Sequence, residues 1–70
     1  MNAYACKIKS CIHNKIITTD RKFIFQHYLK HLRQELNDLA VNLKISKPYF
    51  ENRYSLINSI IDISKIEINK

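Results

Sequence analysis

The 70-residue chain contains no glycine and a single proline. A phosphate-cradling loop or a dinucleotide fold needs glycine where the backbone meets phosphate, so nucleotide folds of that kind are excluded. No apolar run approaches the ~20 residues that span a bilayer. Met1-Asn2-Ala3-Tyr4 lacks the charged-then-apolar pattern of a signal peptide, and an intracellular protein, in a cytoplasm or a host-cell interior, is expected. Acidic residues are scarce: six Asp and Glu face twelve Lys and Arg, for a formal net charge of +6. That imbalance points to an anionic partner, nucleic acid before membrane surface. No carboxylate pair is spaced on one face, and no serine stands beside a histidine with an orienting acid. The expectation is a non-enzyme.

A chain this short buries only about 60% of its unfolded surface and usually adds a staple: a metal, a disulfide or a partner chain. The stretch from Tyr4 to His31 carries the residues for one. Cys6 and Cys11 are separated by four residues, Cys11 and His27 by fifteen, and His27 and His31 by three. Two near cysteines followed by two near histidines make the ligand set of a tetrahedral zinc site. Histidines at i and i+4 of a helix share a face, so both imidazoles can reach one ion. Four protein ligands close the shell, which makes such an ion structural. A Cys6–Cys11 disulfide, two plain thiols, and surface histidines on a basic helix are the alternatives; a reducing compartment favours metal over disulfide. His13, two residues after Cys11, is a spare ligand ranked below His27 and His31.

These residues resemble the Cys2His2 zinc finger family over positions 4–31. Tyr4 stands two residues before Cys6, where that family usually has an aromatic, and Ile24 stands three before His27, at its core leucine position. The Cys-to-His gap departs from the family: fifteen residues here against about twelve. The core phenylalanine has no clean counterpart, though Ile16 or Ile17 can fill its place. The resemblance implies a small α+β zinc finger holding one structural Zn2+ on Cys6, Cys11, His27 and His31. It also implies a helix N-terminus entering the major groove of DNA. Counting back from His27 as the family does puts Asp20, Lys22, Phe23 and Gln26 at base-facing positions, with Gln26 suited to adenine and Phe23 to a thymine methyl. Arg21, Lys30 and Arg33 would then meet phosphates. The partner so implied is DNA, with RNA as a second choice. Short finger proteins of this kind resemble accessory regulators encoded by archaeal viruses and plasmids, a likeness of composition.

The pattern predicts an N-terminal β-hairpin from two short strands, Lys7–Lys9 and Lys15–Thr19, turning at Ser10–Asn14. A long helix follows, capped by Thr19 or Asp20 and running to about Lys44. It carries Phe25, Leu29, Leu32, Leu36, Leu39 and Leu43 at alternating spacings of four and three. That is either the core face of one chain or the seam of a homodimer through Leu29, Leu32, Leu36, Leu39 and Leu43. A second helix from about Pro48 to Ser64, capped by Ser46 or Lys47, is expected to fold back as a helical hairpin, with Phe50, Tyr54, Ile57, Ile60 and Ile61 inward. The alternating tail, residues 65–70, either adds a strand beside the hairpin or prolongs the helix. One domain spans 1–70, with the finger-like part at 4–31 and a helical extension at 32–70. Residues 36–57 also resemble a helix-turn-helix, with Ala40 at its small position, Leu39, Leu43 and Ile45 at core positions, Lys44 in place of the turn glycine and Arg53 where an apolar residue is usual. The reading is a zinc-stabilised, DNA-binding transcriptional regulator; the alternative is a non-enzymatic interaction or dimerisation module in which zinc only props the fold.

Overall fold

A computed structural model describes residues 1–11, 17–46 and 52–68. The fold is α+β. Strand β1 (Asn2–Ala5) is followed by β2 (Ile17–Thr18), α1 (Arg21–Leu29), α2 (Arg33–Asn42), α3 (Arg53–Ser64) and β3 (Ile66–Glu67). The sheet is antiparallel in the order β2-β1-β3. Tyr4 pairs with Thr18 and Ala5 with Ile17 on one side; Asn2 pairs with Glu67 and Ala3 with Ile66 on the other. The alternating tail therefore takes the strand option. The hairpin forms, but its first strand precedes Cys6, and Lys7–Lys9 lies outside any strand. Residues 12–14 of the expected turn, with His13, and Lys15 and Ile16 of the second strand fall outside the described residues.

The long helix expected from residue 20 to 44 is instead two helices. Asp20 caps α1, its carboxylate accepting the N–H of Lys22 at 3.0 Å and of Phe23 at 3.4 Å. The helix ends in tight i→i−3 bonds, Lys30 N–H to His27 C=O and His31 N–H to Tyr28 C=O, and Leu32 is extended. Such a break strands carbonyls at one end and N–H groups at the next. Both sets find partners. The Arg53 guanidinium donates to the carbonyls of Leu29 and His31, and the Glu35 carboxylate accepts the Leu32 N–H at 3.0 Å. That second bond is the backward half of a capping box; the leucine at the cap has no side-chain acceptor for the other half.

Helix α2 ends in a Schellman closure. Ile45 N–H reaches Ala40 C=O and Lys44 N–H reaches Val41 C=O, with Lys44 at φ 63°. This is the left-handed position usually given to glycine. Between Asn42, the end of α2, and Arg53, the start of α3, residues 47–51 fall outside the described residues. The cap of α3 is Asn52, not Ser46 or Lys47, and it accepts the Ser55 N–H at 2.8 Å. Lys47, Pro48 and Phe50, assigned to the start of that helix, lie outside the described residues.

Helix α3 packs against both α1 and α2, and β1 lies against α1 and α3. The core between them is Tyr4, Cys6, Ile8, Ile24, Tyr28, Leu36, Leu39, Ala40, Leu56, Ile57, Ile60 and Ile61. The leucine seam divides: Leu36 and Leu39 are buried, Leu29 and Leu43 pack at the core edge, and Leu32 is 71% exposed. Of the expected inward positions on α3, Ile57, Ile60 and Ile61 are buried, while Tyr54 is 61% exposed and Leu56 is buried in its place.

Candidate metal centre

Cys6 follows directly from β1. Cys11 is held by a turn in which its N–H meets the Ile8 carbonyl at 3.1 Å. His27 lies in the last turn of α1 and His31 just past its end. The two histidines approach the cysteines because Tyr28 clamps β1 to α1: its hydroxyl donates to Ala5 C=O and accepts from Lys7 N–H, each at 3.1 Å. Those two groups flank Cys6, so the residue beside His27 fixes the backbone on both sides of the first thiol.

One ligand atom from each of Cys6, Cys11, His27 and His31 lies within 4.8 Å of the other three, close enough to bind one metal ion. Sγ of Cys6 is 3.6 Å from Nε2 of His31, Sγ of Cys11 is 3.5 Å from Nε2 of His27, and the two Nε2 atoms are 3.4 Å apart. A tetrahedron with Zn–S near 2.3 Å and Zn–N near 2.05 Å has edges of about 3.55 Å for S···N and about 3.35 Å for N···N. The three distances fall on those edges. Cys6 and Cys11 are not joined to each other; each sulfur faces an imidazole nitrogen, which is ligand geometry.

Burial pushes the Cys6 thiol up to about 11, and the adjacent Cys11 and Glu35 add to the rise against a lowering backbone bond at Ile8. A bound divalent ion would favour the thiolate form of the cysteines. Around the site, Glu35 Oε1 lies 3.4 Å from Nδ1 of His31, and Oε2 accepts the Ser10 hydroxyl at 3.0 Å. The Glu35 acid is lowered, first by the Leu32 N–H and then by Ser10. The sequence reading singled out neither Glu35 nor Tyr28. The signals were local: a Glu four residues after a ligand histidine, and a Tyr next to one.

The other positions singled out in the sequence divide. Lys22, Phe23, Gln26 and Lys30 are exposed. Asp20 is engaged as the helix cap. Arg21 is held by Asp62 at 2.8 Å and Asn58 at 3.4 Å, and Arg33 bonds Asn37 at 3.0 Å. Comparison with protein-family models, curated proteins and solved structures gave no match, so the metal site stands on its own geometry. Among the described residues no helix is long and apolar enough to cross a membrane.

Proposed function

We propose that the chain is a zinc-stabilised nucleic-acid-binding domain, a small DNA-binding regulator in which one Zn2+ on Cys6, Cys11, His27 and His31 is structural and α1 is the reading helix. The observation that carries this is the outer face of α1. Lys22, Gln26 and Lys30 follow one another at i, i+4 and i+8, all exposed, with Phe23 beside them at 52% exposure. This face turns away from buried Ile24 and Tyr28. Two cations, an amide able to pair a base edge and an exposed ring form a combination suited to phosphate positioning and base readout. The net charge of +6 supplies long-range attraction.

The test is fluorescence-anisotropy titration of the zinc-loaded chain against duplex DNA at several salt concentrations. Affinity should fall steeply with salt, and Lys22→Ala should flatten the log–log slope by about 0.9, the value of one phosphate contact. No binding at low salt, or binding indifferent to salt, would refute the reading. An interaction module is the second reading, favoured by the exposed Met1, Ile63, Ile66 and Ile68 near the β1–β3 edge, where Ile68 N–H bonds Met1 C=O. That reading predicts a partner interface insensitive to salt.

A further inference from the structure

We infer that Glu35 is the positioning residue of the metal centre: its carboxylate holds His31 in the tautomer that ligates through Nε2 and ties that ligand to the cysteine knuckle and to the start of α2. This rests on the metal reading of Cys6, Cys11, His27 and His31.

A neutral histidine carries one N–H, and the nitrogen facing a metal must be bare. In His31 the nitrogen that sits with Cys6 Sγ and His27 Nε2 is Nε2. Its proton must therefore be on Nδ1. Nδ1 faces Glu35 Oε1 at 3.4 Å, with the His31 and Glu35 side chains 13% and 30% exposed. The contact is longer than an ordinary N–H···O hydrogen bond, and Glu35 makes two shorter ones beside it. The same Oε1 accepts the Leu32 N–H at 3.0 Å, and Oε2 accepts the Ser10 hydroxyl at 3.0 Å.

One carboxylate thus joins three places. Ser10 is the neighbour of Cys11, His31 closes the end of α1, and Leu32 opens α2. A carboxylate behind a ligating histidine fixes ring orientation and raises the basicity of the ligating nitrogen. Here it also fixes where the helix breaks, because the acceptor that orients His31 caps the next helix. The knuckle, the histidine and α2 are held in one register by a residue that need not touch the ion.

The test compares wild type, Glu35→Gln and Glu35→Ala. Cobalt(II) titration followed by visible absorption gives stoichiometry and geometry, and zinc competition against a chromophoric chelator gives affinity. Long-range 1H–15N spectra of the imidazoles report the His31 tautomer. Wild type should take up one cobalt per chain with a tetrahedral spectrum and show His31 protonated at Nδ1. Glu35→Ala should lose about 10–100-fold in zinc affinity and lose the protected Nδ1 proton signal. Glu35→Gln keeps an acceptor for the Leu32 N–H but not the charge. It should retain the fold and lose affinity by a smaller factor, and it decides the matter if the alanine variant does not fold. Zinc affinity within twofold of wild type and an unchanged His31 signal in the folded variants would overturn the role of Glu35 while leaving the metal centre intact. A residue that only caps α2 would give that pattern with a lowered melting temperature. A wild-type chain that takes up no cobalt would overturn the metal reading and this inference with it.

Discussion

Tyr28→Phe removes one oxygen atom from the centre of the fold. Tyr28 is fully buried, and its hydroxyl donates to Ala5 C=O and accepts from Lys7 N–H, each at 3.1 Å. Ala5 is 6% exposed, so its carbonyl loses that partner where water has little access, a cost of about 1–3 kcal/mol. Lys7 is exposed, and its N–H can turn to water at small cost. The sum is about 2 kcal/mol, or a fall in melting temperature of about 8–16 °C for a domain of this size. Urea unfolding at saturating zinc reads it as a shift in midpoint with an unchanged slope. A second readout is independent of that one. Burial pushes the Tyr28 hydroxyl up to about 12, against a lowering bond from Lys7. Because the folded value lies above that of an unfolded tyrosine, near 10, the folded chain holds this proton more tightly. Its contribution is complete below about pH 10 and is lost as pH rises toward 12. Wild type should show a late phenolate absorbance step that Tyr28→Phe lacks. A variant within 0.5 kcal/mol of wild type, with the late step still present, would refute the clamp.

Cys6→Ala and His27→Ala should abolish one-to-one zinc uptake and the circular-dichroism response to chelation; unchanged thermal stability in both would sink a structural role for the ion. Arg53→Ala leaves the carbonyls of Leu29 and His31 without their charged donor, and should cost about 2–3 kcal/mol by urea midpoint. Lys44→Gly relieves a side chain at φ 63°. The left-handed penalty of about 1–2 kcal/mol, less glycine's entropic cost of about 0.5–1 kcal/mol, predicts a gain of about 0.5–1 kcal/mol in calorimetry. A loss there would mean that the Lys44 side chain makes a compensating contact.

The four candidate ligands were legible because metal chemistry restricts such groups to few residue types at short spacings, and spacing survives in sequence. Cys6, Cys11, His27 and His31 meet within 4.8 Å. Ile24, three residues before His27, is buried as its position implies. The α+β class was legible in part: the β-branched run holding Ile17 and Thr18 marks β2 and the alternating tail marks β3, whereas the alternation at Lys7–Lys9 forms no strand and β1 precedes it. Asp20 is a cap by its own chemistry, and the structure uses it so.

The break between α1 and α2 was not legible, and its cause is long-range. Leucine periodicity runs on through Leu32, no glycine or proline interrupts it, and local propensity favours one unbroken helix. What stops the helix is a pair of partners that only the folded chain brings there. Arg53, twenty-two residues after His31 in sequence, takes the carbonyls, and Glu35 takes the Leu32 N–H while facing His31. Arg53 stands where a helix-turn-helix usually has an apolar residue, and here its guanidinium serves backbone carbonyls. It is a charged plug in the end of the helix that carries the histidines. The break in turn divides the leucine seam, sending Leu36 and Leu39 into the core and Leu32 to the surface. The candidate metal ligands and the break are therefore one device: His31 can meet His27, Cys6 and Cys11 because the chain leaves α1 at that point, and Arg53 and Glu35 satisfy the backbone groups that the departure exposes.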